Sequence, residues 1–127
     1  MEYERQSRED RQQAHLIQVG TWIGLAGPVG LRGRIANVRN SNDDQQKVIT
    51  LLSEIPSVQG GKKDDWEVPP LAGPDGVCPQ VLAFAIWDFQ SWWKRFGIFK
   101  NIDGVVDPGG NTLTYLNFFA TSAKMSS

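Results

Sequence analysis

The chain has 127 residues, a length typical of one domain that buries its own core. Its 13 basic and 14 acidic residues give a net charge of -1, which provides no electrostatic reason to expect a nucleic acid or an anionic membrane as partner. A single cysteine, Cys78, excludes an intrachain disulfide, and with His15 as the only histidine a zinc site of the usual Cys/His kind is excluded.

The first 41 residues predict no helix with a buried face. Residues 1–14 are polar almost throughout and predict a polar tail, either a solvated helix or a frayed end, with neither a signal peptide nor a membrane anchor. We therefore expect the chain to be cytoplasmic as synthesised, with any export carried out by a dedicated system and no insertion into a membrane. Residues 15–25 favour an extended segment because β-branched and aromatic residues alternate with glycines. Residues 26–41 predict a loop that is rich in glycine and arginine.

The first predicted helix begins near Asn42, which is a suitable capping residue, with Gln45 in the place of a capping-box partner. Pro56 ends it. Four apolar residues recur at helical spacing and predict one buried stripe: Val48, Leu51, Leu52 and Ile55. The following loop, residues 57–77, is long and charged, and loops of that length are often functional.

The second predicted helix begins at Pro79 and runs to about Phe96, with Gly97 as its C-terminal cap. One face carries seven apolar residues: Cys78, Leu82, Ala85, Ile86, Phe89, Trp93 and Phe96. Phe84 and Trp87 fall on the opposite side, so this helix needs a second cover, which we expect the N-terminal extended segment to provide.

A tight turn over residues 103–110 leads into the third predicted helix, which begins at Asn111 or Thr112. Its buried stripe is predicted to be Leu113, Leu116 and Ala120, with Phe118 and Phe119 off that stripe. Residues 121–127 are small and polar and are predicted to fray. The predicted fold class is mainly α: a three-helix domain over residues 15–120 with an N-terminal extended segment.

The helices and turns together resemble the peptidoglycan-binding-domain-like fold. The matching pieces are Val48-Ile-Thr-Leu-Leu52, Asp75-Gly-Val-Cys-Pro79, Ala85-Ile-Trp-Asp-Phe-Gln90, Asp103-Gly-Val-Val-Asp-Pro-Gly-Gly-Asn-Thr-Leu113 and Leu116-Asn117. The variant with Val-Asp-Pro-Gly-Gly is similar to segments of secreted proteins of Gram-negative bacteria, including type VI secretion cargo. The resemblance covers residues 42–117 and departs from the family in a longer loop at 57–74, in a helix that continues through Ser91–Phe96, and in the added N-terminal segment.

This resemblance implies a small three-helix core and a non-catalytic module that binds cell-wall peptidoglycan in secretion or interbacterial antagonism. The alternative is a protein-interaction module, such as an adaptor, an effector-loading domain or an immunity-type partner, that does not bind sugar. A cell-wall hydrolase is the third hypothesis, and it is disfavoured because no acid/base or metal constellation is visible. No cofactor is expected.

Three candidate chemical sites have simpler interpretations. His15 has no nucleophile motif near it, and Cys78 fits a small buried residue at a helix start better than a reactive thiol. Asp103 and Asp107 flank a turn in the manner of a calcium loop, but the EF-hand pattern is broken and turn formation is favoured. A glycosidase carboxylate pair among Asp64, Asp65 and Glu67 is less favoured than solvated surface.

Aromatic residues give the remaining functional signal, because five tryptophans are many for this length: Trp22, Trp66, Trp87, Trp92 and Trp93. Trp92 and Trp93 are adjacent and cannot both point into one core stripe. Exposed tryptophans are enriched at interfaces and also stack on sugar rings. We predict Trp66, Trp87 and Trp92 as ligand-binding residues, and we predict neither catalytic residues nor metal ligands.

Overall fold

The computed structural model describes residues 22–31 and 38–126, and it is mainly α. Its helices are α1 (Asn42–Glu54), α2 (Gln80–Lys94) and α3 (Asn111–Ser126), with a 3-10 turn at Ser57–Gln59. Two short strands, β1 (Val29–Gly30) and β2 (Val105–Val106), pair antiparallel, with Val29 opposite Val106. His15 and the predicted tail over residues 1–14 lie outside the described residues.

The three predicted stripes meet in one core. On α1 and α2 the buried residues are Val48, Leu51, Leu52, Leu82, Ala85, Ile86 and Phe89, and on α3 they are Leu113, Leu116 and Ala120. The two strands add Val29 and Val106 to the same core. The helical periodicity of the sequence is therefore confirmed by burial, because residues at i, i+3 and i+4 share one face of a helix.

The start of α1 differs from the prediction by one residue. Ser41 is the N-cap, and its hydroxyl accepts a hydrogen bond from the Asp44 N–H at 3.2 Å. Asn42 instead donates its side-chain amide to the Gly73 carbonyl and its N–H to Asp75, which ties α1 to the loop before α2. Gln45 is buried and bonds to the same loop, so its predicted capping-box role is wrong.

Asp44 holds the described N-terminal segment onto α1. Its carboxylate accepts the N–H groups of Ala26 and Gly27, both at 3.0 Å. Burial raises the pKa of this carboxyl, but the hydrogen bonds from Ala26, Ser41 and Gly27 and the charge of Lys47 outweigh burial, and the net pKa lies below its ordinary value.

The N-terminal segment takes a path that the sequence did not predict. Asn117 on α3 accepts the Ile23 N–H at 2.8 Å and donates to the Ile23 carbonyl at 3.0 Å, so residues 22–25 are fastened to α3. Phe84 and Trp87 on the outer face of α2 remain exposed. The expectation that this segment covers that face is therefore wrong for residues 22–25, and residues 15–21 lie outside the described part of the chain.

The end of α2 explains two wrong predictions. The helix ends at Lys94, and Gly97, with a φ of 80°, reverses the chain, with its N–H donating to the Lys94 carbonyl. This turn carries Phe96 away from the core and leaves it exposed. Phe119, predicted to lie off the stripe of α3, is buried because its ring stacks on Trp93 at 4.4 Å between centroids.

Three predicted irregular segments contain regular structure. The predicted loop over residues 26–41 contains β1, and the predicted turn at 103–110 contains β2. Both strands have only two residues, too short to show a sequence period. The predicted frayed end is wrong for residues 121–126, because α3 continues to Ser126 and Lys124 pairs with Glu54 at 3.1 Å; residue 127 lies outside the described residues.

Candidate functional site

A polar pocket of about 480 Å³ lies where the chain leaves α2 and enters α3. The chain after α2 forms one wall, and the turn that carries β2 together with the first residues of α3 forms the other. Its polar lining side chains are Gln90, Lys100, Asn101, Asp103, Asp107, Asn111 and Thr112. The pocket therefore gathers two carboxylates, an ammonium group and amide and hydroxyl groups, most of them from the Asp-Gly turn and the start of α3.

Gln90 builds the inner wall of this pocket. Its side-chain carbonyl accepts the Gly104 N–H at 2.8 Å, and its amide nitrogen lies 3.0–3.1 Å from Asp103 Oδ1, the Val105 carbonyl and Thr112 Oγ1. One buried side chain on α2 thus fixes the turn and the first turn of α3 at once. This explains why a glutamine stands next to the apolar residue Phe89 in the sequence.

The two carboxylates of the pocket differ in their surroundings. Asp103 accepts hydrogen bonds from Gln90 and from the Val105 N–H at 2.9 Å. Burial, with a further contribution from the Asp103 carboxylate, raises the pKa of Asp107 above its ordinary value. Asp107 makes no side-chain hydrogen bond within the described chain and remains free to accept one from a ligand.

The lining suits hydrogen bonding to hydroxyl, amide and amine groups. Neither histidine nor cysteine is among the lining residues. Across residues 22–31 and 38–126 there is no group of three or more His, Cys, Asp or Glu side chains that is placed to hold a metal ion. The arrangement can bind and orient a polar ligand, and the lining offers no base paired with a nucleophile.

The structure separates the three predicted tryptophans. Trp66 is half-buried, packs against the core and donates its backbone N–H to the Lys62 carbonyl. Trp87 is 42% exposed and approaches Gly104, at the turn that carries the pocket. Trp92 lies against Gly60, with the Arg95 guanidinium 4.6 Å from its ring centroid. Within the described residues, no ring contact joins any two of the three.

Trp92 carries a buried polar atom without a partner. Its indole Nε1 makes no hydrogen bond, whereas Nε1 of the neighbouring Trp93 donates to the Gln59 carbonyl at 2.8 Å. The prediction that these adjacent residues face different surroundings is confirmed. Trp93 belongs to the core, and Trp92 lies at its edge.

The remaining candidates have structural roles. Burial raises the pKa of the Cys78 thiol to about 11, which favours the unreactive protonated form. Asp64 accepts the hydroxyl and N–H of Ser57, and these hydrogen bonds lower the pKa of its carboxyl. Asp65 pairs with Lys62 at 3.5 Å. The loop carboxylates therefore fasten the start of the 3-10 turn and its neighbourhood.

Sequence reasoning did not select the pocket residues. The sequence pattern assigns Asp103 and Asp107 to a turn, and it gives no indication of a site at Gln90, Asn111 or Thr112. The signal in the sequence is that Asp-Gly-Val occurs twice, at 75–77 before α2 and at 103–105 before α3. This repeat indicates that the two turns have similar structures. The polar residues around the second turn do not by themselves indicate a pocket.

Comparison with family models, with curated proteins and with solved structures gave no match for this chain. The resemblance to peptidoglycan-binding domains therefore rests on the sequence motifs. Within the described residues, no helix is both long and apolar enough to span a membrane.

Proposed function

We propose that this chain is a non-catalytic binding module that recognises bacterial cell-wall peptidoglycan in a secretion or interbacterial-antagonism setting. The motif resemblance supplies the ligand class. The polar pocket beside Asp103-Gly104 is the observation that carries the proposal, because its carboxylates, ammonium group and amides match the hydroxyl, amide and amine groups of a peptide-substituted glycan.

An aromatic surface near a polar pocket supports the same proposal. Trp87 lies on the exposed face of α2 and approaches Gly104, the residue after Asp103. Sugar rings present an apolar face that packs on indole, while their hydroxyls need polar partners. Trp87 is therefore the one of the three predicted tryptophans that we place in the site. Trp66 contributes to the core, and the position of Trp92 against Gly60 gives it a separate surface.

The experiment is cosedimentation of the purified chain with peptidoglycan sacculi. We expect the wild type to sediment, Asp107→Ala and Asn111→Ala each to weaken binding at least tenfold, and Trp87→Ala to weaken it less. Asp43→Ala is the matched control, since Asp43 is an exposed aspartate on α1 outside the pocket. Wild-type protein that stays in the supernatant, or pocket variants that bind like the control, would refute the proposal.

A second candidate, a protein-interaction module of a secretion system, is favoured by the outer face of α2. Val81, Phe84 and Trp87 lie on that face and are exposed. Contiguous apolar surface rimmed by polar residues commonly marks a protein contact. If this candidate is correct, Phe84→Asp abolishes binding to the protein partner, while the pocket variants bind that partner normally and no variant binds sacculi.

A further inference from the structure

The polar pocket is lined by two opposite charges that do not pair with each other. Lys100 belongs to the chain that follows α2, and Asp107 belongs to the turn that carries β2. Neither side chain makes an ion pair or a hydrogen bond with any other residue of the described chain. An ammonium group and a carboxylate therefore line a cavity of about 480 Å³ with both charges available to a ligand.

The two carboxylates of the pocket suit a bound ammonium group. Asp103 uses Oδ1 to accept from the amide of Gln90 and the N–H of Val105, and its Oδ2 makes no hydrogen bond within the described residues. Burial first, and then the Asp103 carboxylate, raise the pKa of Asp107, so the two carboxylates lie within electrostatic reach of each other. An ammonium group between them would offset this repulsion and accept both free oxygens as partners.

A second set of groups in the same pocket suits a bound carboxylate. Lys100 supplies a full positive charge, and α3 begins at the pocket with Asn111 and Thr112. The N–H groups of these two residues make no hydrogen bond within the described part of the chain. The first turn of a helix carries partial positive charge and unpaired donors, which stabilise an anion. The pocket thus offers a full and a partial positive charge to one carboxylate.

A ligand that carries a single charge would use only one of these two sets. A cation would leave Lys100 unpaired and would be repelled by it, and an anion would be repelled by Asp103 and Asp107. A ligand with both charges on neighbouring atoms pairs with both sets at once. The cavity volume lies within the range of about 300–1,000 Å³ that is usual for small-molecule sites, so the space admits such a group.

We propose that the pocket binds the zwitterionic end of an amino acid, in which an ammonium group and a carboxylate are attached to one carbon atom. This preference rests on the proposed function, because the same pocket then reads one part of the peptide stem of peptidoglycan. Residues inside a peptide stem use their backbone amino and carboxyl groups in amide bonds. A diaminopimelate residue keeps a zwitterionic end on its side chain as long as that end is not cross-linked, whereas lysine offers only an ammonium group there. The pocket therefore selects stems with free diaminopimelate.

The test is an NMR titration of the full chain with three forms of one disaccharide-tetrapeptide unit. The diaminopimelate side chain of the unit has a free end, or an end with its carboxylate converted to a carboxamide, or an end with its amine acetylated. We expect the free end to bind with a Kd about tenfold lower than either modified end, because each modification removes one charge-assisted contact. The largest shifts of backbone amide signals should lie within residues 100–112.

Two substitutions that remove a charge but keep the size of the side chain assign each half of the contact. Lys100→Gln should bind the free and the carboxamide ends equally and still prefer the free end to the acetylated one. Asp107→Asn should weaken the preference for the free amine and keep the preference for the carboxylate. Lys94→Gln and Asp43→Asn are the matched controls, since both residues are exposed and lie outside the pocket, and both variants should keep both preferences. The amide spectrum establishes that each variant is folded.

Three results would overturn the proposal, and they separate it from the proposed function. Equal binding of the three units by the wild type would show that the chain binds peptidoglycan without reading the zwitterionic end. A preference for the free end that survives in both Lys100→Gln and Asp107→Asn would show that another part of the chain reads it. Failure of the wild type to bind any of the three units would overturn the proposed function and the zwitterion site together.

Discussion

Replacing Gln90 by leucine removes the buried side chain that joins α2 to the turn before α3. Leucine has a similar volume but leaves the buried Gly104 N–H and the Val105 carbonyl without the hydrogen bonds that they make at 2.8 and 3.1 Å. A buried backbone group that loses its partner costs about 1–3 kcal/mol, so two such groups cost roughly 2–6 kcal/mol, less a gain from burying a more apolar side chain. We expect a net loss of about 3 kcal/mol.

Thermal and urea unfolding followed by far-ultraviolet circular dichroism measure this loss. For a domain of this size, a loss of about 3 kcal/mol lowers the Tm by roughly 10 °C. The matched control is Gln46→Leu, because Gln46 is an exposed glutamine whose amide donates only to Asn42 Oδ1, and it should change stability by less than about 0.5 kcal/mol. A Gln90→Leu protein as stable as Gln46→Leu would refute the assignment of Gln90 as the structural link.

Three more predictions concern single positions. Asp44→Asn should lower the free energy of unfolding at pH 7 by about 1–3 kcal/mol. The difference from the wild type should shrink as pH falls below about 4, because the pKa of Asp44 is lowered in the folded state and protonation there removes the stabilising carboxylate; urea midpoints from pH 2 to 7 measure this. Asp107→Asn should raise the urea midpoint at pH 7, because burial and the Asp103 carboxylate raise the pKa of Asp107 and so disfavour its ionised form in the folded state. Below about pH 4, where the Asp107 carboxyl is protonated in both states, the variant and the wild type should have the same midpoint. A variant less stable than the wild type at pH 7 would contradict this. Gly61→Ala should lower the free energy of unfolding in urea by about 3 kcal/mol, because the new Cβ would collide with the Ile55 carbonyl. Gly76→Ala is the control: Gly76 has a φ of 88° and open space around it, so alanine there should lower the free energy of unfolding by only about 1 kcal/mol. Equal losses at the two positions would show that the collision at Gly61 is relieved.

The helices were predictable because each carries one apolar stripe that has to be buried. Val48, Leu52 and Leu113 lie in the core as the helical period requires. Gly97 was likewise predictable as a helix end, since glycine favours the left-handed backbone that closes a helix. These features depend on residues near each other in the sequence.

The wrong predictions involve partners that lie far away in the sequence. Phe119 is off the α3 stripe by angle, and its burial depends on two rings of α2, Trp93 at 4.4 Å and Phe89 at 6.2 Å between centroids. The path of Ile23 depends on Asn117, 94 residues later in the chain. The polar pocket is lined by residues that are close in sequence, between 90 and 112, but the hydrogen bonds of Gln90 that shape it do not follow from a helical period. Local periodicity contains no information about such pairings.

Two buried glutamines give the domain a repeated construction. Gln45 on α1 accepts the Gly73 N–H and donates to the Val77 carbonyl, and Gln90 on α2 accepts the Gly104 N–H and donates to the Val105 carbonyl. In both cases a helix holds the Asp-Gly-Val turn that begins the next helix.

The two repeats differ in the length of chain between the glutamine and its turn. Gln45 lies 28 residues before Gly73, whereas Gln90 lies 14 residues before Gly104. Because loop-closure entropy rises slowly with loop length, the first connection can be longer at little cost once its two ends are fixed. The additional residues include the exposed apolar side chains of Val68 and Leu71. Because Gln45 fixes the end of this loop at Gly73 and Val77, the loop can carry an exposed apolar segment without disturbing the core.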